Sequence, residues 1–221
     1  MLLSSGRGDH GERLSRICCI RLIMEGGTYF MPRHKEFDEE KALRGAIAAF
    51  SQKGFAATST DDLMAAMKIG RQSMYDTFGD KRALFLKALE FYSQENINAI
   101  AEELRKPGSP MANIRNVLIK FTERKDLSPP YGCMGVNAIC EFGLTDREVL
   151  EAMQDAARLQ RQVLLDTLKR AKKERELSAD ADIAGLAGFI DVTLAGLRIA
   201  AKGGMSRTAM KRIVEIAGKA F

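Results

Sequence analysis

The strongest constraint in this sequence is a helical periodicity that continues almost unbroken from Asp38 onward. Apolar residues recur at three- and four-residue spacings, as at Ala42, Ala46 and Ala49, and this spacing places them on one face of a helix. No stretch of useful length alternates apolar and polar residues as a half-buried strand does. We therefore expect an all-α fold without a parallel sheet or a nucleotide-binding βαβ unit.

Capping residues divide the periodic region into nine predicted helices. Asp38 is typical of a helix N-terminus and Gly54 of a helix end. Thr145 and Glu148 have the spacing of a capping box, so we expect Thr145 to begin the seventh helix. The predicted helices cover about residues 39–54, 60–67, 71–78, 81–105, 111–125, 133–142, 146–176, 182–202 and 207–221.

The composition narrows the chemistry that the chain can perform. The formal net charge of +5 permits a polyanionic partner, although a solvated basic surface would explain it equally well. A reducing, cytoplasmic compartment is expected, and we predict no metal and no cofactor. The sequence contains no run of about 18 apolar residues, so it predicts no membrane span. The residues that could bind zinc do not have zinc-site spacing: Cys18, Cys19, Cys133, Cys140, His10 and His34.

Residues 1–35 differ from the rest of the chain, and we expect a disordered or non-native N-terminal extension there. Met31 opens a plausible start, Met-Pro-Arg-His. The codons of Glu25, Gly26 and Gly27 would be purine-rich, and they lie a few codons upstream of Met31, where a bacterial ribosome-binding site should be. We therefore expect Met31 to be the initiator, and a flexible basic arm is the alternative.

The segment 59–78, within a predicted module of residues 36–96, has the pattern of a helix-turn-helix. Leu63 and Met67 supply the inner face of its first helix, and Met74 and Phe78 that of its second. Arginine pairs with guanine and glutamine with adenine, while hydroxyl groups donate to phosphates. The second helix leaves such side chains outward: Arg71, Gln72, Ser73, Tyr75, Asp76 and Thr77. The alternative is a helical hairpin with a polar face.

The stretch from Ala46 to Leu89 resembles the DNA-binding module of TetR-type (TetR/AcrR) regulators. The residues that carry the resemblance are Phe50, Gly54-Phe55, Thr58-Ser59, Met74 to Phe78 and Gly79-Asp80-Lys81. It implies phosphate contacts for Thr58, Ser59, Tyr75 and Lys81, with Thr60 and Thr77 beside them, and base reading by Arg71, Gln72, Ser73 and Asp76. Two departures are Gly70 in place of a hydroxyl cap and Lys68 in place of the usual turn glycine.

Residues 97–221 are expected to form a helical effector-binding and dimerisation domain. The eighth and ninth helices resemble the pairing helices of the family, although ordinary intrachain core is the alternative for these residues: Ile183, Ala184, Gly185, Leu186, Ala187, Gly188, Ile190, Leu194, Ala195, Gly196, Leu197, Met210, Ile213, Val214 and Ala217. The resemblance also implies an effector pocket, with these candidates: Phe91, Phe121, Cys133, Met134, Asn137, Cys140, Phe142, Met153 and Leu186. Core packing is the alternative for them, and Asn137 needs a hydrogen-bond partner if it is buried.

We therefore expect a homodimeric transcriptional regulator that binds a palindromic operator in double-stranded DNA. An unknown small-molecule effector would release this repressor from the operator, and modification of Cys133 is an alternative trigger. A helical adaptor that binds only protein is a further alternative. An enzyme is not expected, since the sequence has no Ser-His-Asp set, glycine-rich phosphate loop or His-carboxylate metal cluster.

Overall fold

The computed structural model describes residues 37–123 and 133–219, and this part of the chain is helical with no strand. The expectations for residues 1–35, including Met31, Cys18 and Cys19, lie outside the described residues. The all-α prediction is confirmed. The described helices are α1 (Glu39–Ala57), α2 (Thr60–Met67), α3 (Arg71–Phe78), α4 (Lys81–Leu104), α5 (Pro110–Glu123), α6 (Met134–Phe142), α7 (Arg147–Lys173), α8 (Ile183–Lys202) and α9 (Arg207–Ala217).

Side-chain caps explain where most of these helices begin. The carboxylates of Asp38, Asp80 and Asp182 and the hydroxyl of Ser206 each accept a hydrogen bond from the first turn that follows them. The predicted cap at Thr145 is wrong. Its hydroxyl donates to the Phe142 carbonyl, and Asp146 caps α7 by accepting from the amide of Val149.

Two clusters of buried side chains form the core. The first joins α1, α2, α3 and the first half of α4, and it includes Met134 and Ala138 from α6. The second joins the end of α4 to α5, α7, α8 and α9, with Leu118, Leu164 and Ile190 fully buried. Helix α4 therefore contributes to both clusters, while α6 packs mainly on α1, the helix that leads into the helix-turn-helix, although it follows α1 by more than fifty residues.

Part of α8 and α9 is covered by their own chain, and part remains exposed and apolar. The intrachain alternative holds for Ala187, Ile190, Leu194, Leu197, Met210, Val214 and Ala217, which lie in the core. The uncovered apolar side chains of these helices are Phe189, Val192, Ile199, Ile213 and Ile216. Among the described helices, α8 alone is long and apolar enough to cross a membrane, and only 22% of that stretch is buried. The mean hydropathy of α8 is high because both its inner face, in the core, and its outer face are apolar.

Helices α1 and α2 approach closely at Gly45. A Cβ atom built on Gly45 would overlap the carbonyl oxygen of Ala66 and lie 2.9 Å from the Cα atom of Met67. Glycine inside a helix normally costs stability, but here it allows the backbones to touch. The orientation of α2, and of the turn behind it, depends on this contact.

We expect Gly45→Ala to lower the free energy of unfolding by about 1–3 kcal/mol, because the added methyl group forces α1 and α2 apart. Thermal or urea unfolding would measure the change. Gly188→Ala is the matched control, since a Cβ atom at this mid-helix glycine would meet only Arg161 at an ordinary 3.8 Å. The control should stabilise the protein by about 0.5–1 kcal/mol. An equal gain from both changes would contradict the close contact.

Candidate DNA interface and effector cavity

The polar face of α3 lies at the surface. Arg71, Gln72 and Asp76 are exposed, and Tyr75 is 42% exposed. The inner face is formed by Met74 and Phe78, which are buried, as the sequence predicts. Ser73 and Thr77 are half-buried at the borders of the polar face. The arrangement can present several donors and acceptors to the edges of bases in a groove.

The turn between α2 and α3 is formed without its usual glycine. Lys68 takes the left-handed conformation with φ 56° and ψ 40°, and its amide donates to the Met64 carbonyl. This conformation costs a lysine about 1–2 kcal/mol relative to the right-handed one. Gly70 precedes α3 with no side-chain cap. The amides at the start of α3 therefore remain free to meet other acceptors.

Two of the predicted base-reading side chains are held in place by carboxylates. The guanidinium of Arg71 donates to Asp61 on α2 at 2.8 Å, and the amide of Gln72 donates to Asp76 one turn later at 2.7 Å. Both contacts are exposed, so they contribute little to stability. Their effect is to hold the two side chains in an ordered arrangement on the surface of α3.

The N-terminus of α2 is built as a complete capping box. The Ser59 hydroxyl accepts from the Asp62 amide at 3.0 Å, and the Asp62 carboxylate accepts from the Ser59 amide at 2.9 Å. Lys53 on α1 donates to the same carboxylate at 2.6 Å. The Lys53 ammonium and the donors of Ser59 lower the pKa of Asp62 to about 2. Asp62 is therefore ionised at neutral pH and ties α1 to α2.

The structure corrects the predicted role of the Thr58 side chain. Thr58 is fully buried, and its hydroxyl donates to the carbonyl of Gly54 at the end of α1. The hydroxyl therefore fixes the turn into α2 and is not available to a phosphate. Ser59 is exposed, and Thr60 is half-buried beside it. Lys81 lies at the start of α4, where its ammonium is 4.4 Å from the centre of the Phe55 ring.

A cavity of about 340 Å³ lies between α4, α6, α7 and α8. This volume is at the lower end of the range for small-molecule sites, about 300–1,000 Å³. Cys133, Cys140 and Met153 line it as predicted. The Sγ atom of Cys133 lies 3.2 Å from the Tyr92 hydroxyl. The remaining lining residues are Ser93, Asn96, Ile97, Gly135, Val136, Ile139, Ala156, Ala157, Gln160, Arg161, Asp191, Ala195, Arg198 and Ile199.

The other predicted pocket residues lie outside this cavity. Met134 is fully buried in the core that includes the helix-turn-helix. The Phe142 ring packs 5.4 Å from that of Phe55 and 5.3 Å from that of Phe85. Phe91 packs against the first core cluster and Leu186 against the second. Phe121 belongs to the second cluster, and the Arg198 guanidinium lies over its ring. For these residues core packing, the alternative given above, describes their position.

Asn137 has the partners that its burial requires, and they lie on α1. Its amide donates to the carbonyls of Phe50 and Ser51, each at 2.9 Å, and its own carbonyl accepts from Lys202 on α8. It is therefore a structural link between three helices, although the resemblance placed it in the pocket. The carbonyls of Phe50 and Ser51 are available because Gly54, with φ 82° and ψ 179°, interrupts α1.

Glu141, one turn after Asn137, binds the other side of the same interruption. Its carboxylate accepts from the amides of Phe55 at 2.8 Å and Ala56 at 2.7 Å. A Cβ atom at Gly54 would collide with this carboxylate, so glycine is required for space as well as for its positive φ. The sequence analysis did not identify Glu141. A lone acid on an amphipathic helix carries no signal of a partner 85 residues away.

The start of α4 is tied to the start of α7 by a second ionic contact. Arg82 donates to both oxygens of Asp146, at 2.6 and 3.0 Å, and to Glu148 at 2.6 Å. The Arg82 guanidinium and the Val149 amide lower the pKa of Asp146 to about 2. Because α4 begins directly after α3, this contact fixes α3 relative to α7, a helix that lines the cavity.

Comparison with protein families gives two matches that follow one another along the chain. The family described as "Bacterial regulatory proteins, tetR family" matches residues 42–88, which contain the helix-turn-helix. The family described as "Tetracyclin repressor-like, C-terminal domain" matches residues 110–217, which contain α5 to α9. The boundary between the two matches falls within and just after α4, the helix that contributes to both cores.

Individual relatives agree with the family matches. The uncharacterized HTH-type transcriptional regulator YezE of Bacillus subtilis strain 168 is 33% identical over 78% of this chain and 90% of YezE. The HTH-type transcriptional repressor ComR of Escherichia coli K12 is 26% identical over 84% of this chain and 88% of ComR. A cysteine mutant of the TetR family regulator CifR, solved with 26-base-pair double-strand operator DNA, is 29% identical with a TM-score of 0.71, over 86% of this chain and 100% of CifR.

Proposed function

This chain belongs to the tetR family of bacterial regulatory proteins and is a DNA-binding transcriptional regulator, and from that premise we propose a cytoplasmic, dimeric repressor that a small-molecule effector releases from its operator. The observation that carries the proposal is the double role of α6. One side of this helix lines the cavity through Val136, Ile139 and Cys140, and another side holds the interrupted end of α1 through Asn137 and Glu141.

DNA recognition is assigned to the exposed face of α3. Arg71 and Gln72 lie at its N-terminal end, where recognition helices contact base edges. Tyr75 and the N-terminus of α2 at Ser59 are both exposed, and we assign them to phosphate contacts. Palindromic operators need two such helices about 34 Å apart, one in each of two successive major grooves.

Pairing of two copies is assigned to the uncovered apolar side chains of α8 and α9. Val192 is 72% exposed and Ile216 is 69% exposed. Such residues on adjacent helices mark an interaction surface, because a solvated protein gains free energy by covering them. A second copy that presents the same two helices would cover them with twofold symmetry. The same pairing explains why the outer face of α8 is apolar, so this face does not require a membrane.

The operator interface is tested with DNA from the promoter region beside the gene. We expect Arg71→Ala to weaken binding to the specific site by about 1–3 kcal/mol, with a smaller effect on unrelated DNA, because a guanine contact is lost. Fluorescence anisotropy at fixed salt would measure both affinities. Asp61→Ala removes the partner of Arg71 but keeps the arginine, and should bind normally. Arg158→Ala, at an exposed arginine on α7, is the remote control, and equal losses for Arg71→Ala and Arg158→Ala would count against α3.

Effector release is assigned to movement of α6. A molecule that enters the cavity presses on Val136 and Ile139, which are on the same nine-residue helix as Asn137 and Glu141. A short, rigid helix cannot shift one side without the other. Movement of Glu141 uncovers the amides of Phe55 and Ala56, and the segment that leads into Ser59 and α2 loses its support. Binding then favours a spacing of the recognition helices that does not fit the operator.

We expect Glu141→Ala to speed hydrogen exchange of the Phe55 and Ala56 amides by about 10-fold or more, because each loses a charge-assisted hydrogen bond. Operator affinity should fall by a similar factor, since the entry to α2 is no longer fixed. Exchange mass spectrometry and anisotropy measure the two effects. Glu151→Ala, which removes an exposed partner of Arg147, is the control. Unchanged exchange at Phe55 and Ala56 would remove α6 from the mechanism.

A second trigger is supported by the position of Cys133. Its thiol is free, lines the cavity and lies beside the Tyr92 hydroxyl. A group attached to this sulfur would occupy the space assigned to the effector. Cys133 is also the N-cap of α6, so an adduct would press directly on the helix that holds α1.

We expect iodoacetamide to lower the operator affinity of Cys140→Ser, which keeps Cys133, and to leave the double variant Cys133→Ser/Cys140→Ser unaffected. Cys140 also lines the cavity, so only this pair differs in an adduct at Cys133 alone. Both variants keep Cys18 and Cys19, so the double variant controls for alkylation at those two cysteines. Intact-mass spectrometry would count the adducts, and anisotropy would give the affinity. Full operator affinity with Cys133 alkylated would exclude this trigger while leaving the effector mechanism in place.

A further inference from the structure

The charged side chains of the cavity are not balanced. Among the described residues, its lining contains two arginines, Arg161 and Arg198, and one acid, Asp191. The oxygens of Asp191 are occupied, because Arg161 binds one at 2.9 Å and the amide of Gln160 donates to the other at 2.8 Å. Arg161 is thereby neutralised by Asp191, and the positive charge of Arg198 remains.

Arg198 forms no ion pair with any residue in the described ranges 37–123 and 133–219. It is half-buried, and the centre of its guanidinium lies 5.1 Å from the centre of the Phe121 ring. Stacking on an aromatic ring engages the face of a guanidinium and leaves the N–H groups along its edge available. Lys202, one turn later on α8, adds positive charge nearby and binds only the neutral Asn137 among the described side chains.

The remaining wall of the cavity is mostly apolar. Ile97, Val136, Ile139 and Ile199 contribute branched aliphatic side chains, and Met153 adds a flexible one. An apolar surround strengthens a charge-assisted hydrogen bond once water is displaced, and a ligand that covers Ile139 and Ile199, each 59% exposed, would displace it. The cavity thus combines a cationic fork with an apolar chamber, which is the complement of a short amphipathic anion.

We propose that the effector is a small organic acid, whose carboxylate binds the edge of the Arg198 guanidinium and whose apolar part fills the chamber between α4, α6 and α7. This inference rests on the proposed function, since it names the ligand class of the same cavity. The planar fork of arginine matches the two oxygens of a carboxylate. Among the lining residues that the structure describes, a cationic effector finds no free acid, because Asp191 is already held by Arg161 and Gln160.

The test compares three probes that share one tail and differ in head group: octanoate, 1-octanol and octylamine. Isothermal titration of the full chain without DNA, at neutral pH and submicellar concentration, gives their dissociation constants. We expect octanoate to bind about 10- to 100-fold more tightly than octanol, the effect of one charged hydrogen-bonded pair, and octylamine to bind most weakly. Equal binding of octanoate and octanol, or tightest binding of octylamine, overturns the proposal.

Variants locate the preference at Arg198. Arg198→Met keeps the length of the side chain and removes its charge, so octanoate should lose its advantage while octanol binds as before. Arg147→Met, at an exposed arginine on α7, is the matched control and should keep the full preference. An unchanged preference in Arg198→Met overturns the assignment. If that variant is unfolded by circular dichroism, the probe series on the native chain still decides the ligand class.

Failure of this inference and failure of the proposed function give different results. Binding of octanoate is measured without DNA, and operator binding is measured without octanoate. A chain that binds its operator but shows no head-group preference loses only the organic-acid inference. A chain with the preference but no operator affinity loses the repressor assignment.

Discussion

The arrangement of this protein depends on the interruption of α1 at Gly54. A helix that breaks leaves carbonyls on one side and amides on the other without partners, and burying such groups costs free energy unless something else binds them. Helix α6 binds both sets, with the amide of Asn137 on the carbonyls of Phe50 and Ser51, and the carboxylate of Glu141 on the amides of Phe55 and Ala56. The end of α1, which leads into the helix-turn-helix, is therefore completed by residues that belong to the distant half of the sequence.

The two family matches divide the chain at α4, yet side chains from both parts pack against each other. The hydrogen bonds from α6 to α1 explain this packing. Met134 and Ala138 of α6 lie in the same core as Leu63 and Phe85. Arg82 and Asp146 add an ionic contact near the other end of the module. A DNA-binding unit held at two places by helices that line a cavity cannot keep its orientation when those helices move, which is the physical requirement for a switch.

The sequence predicted those features that local chemistry decides. Helix ends depend on residues that are close in the chain, so α2 and α3 match their predicted bounds, and the capping box of α2 joins Ser59 to Asp62 only three residues later. The exception, Thr145, shows the limit of such patterns, because the adjacent Asp146 competes for the same role and also binds Arg82. The polar face of α3 was likewise predictable, since 3.6-residue periodicity separates Arg71 and Tyr75 from Met74 and Phe78.

The residues that the sequence did not predict depend on distant partners. Periodicity shows that Phe142 and Met134 face a core, but it cannot show whether a cavity or another side chain stands opposite them. Arg198 and Tyr92 were missed as lining residues for the same reason, and Thr58 was misplaced because its buried hydroxyl binds Gly54. The uncovered apolar side chains of α8 and α9 have a further consequence for gene control. If reading an operator first requires two protomers to cover these residues together, occupancy at low abundance rises with the square of protomer concentration. The cell would then gain a threshold in copy number, without any additional component, below which the gene stays expressed.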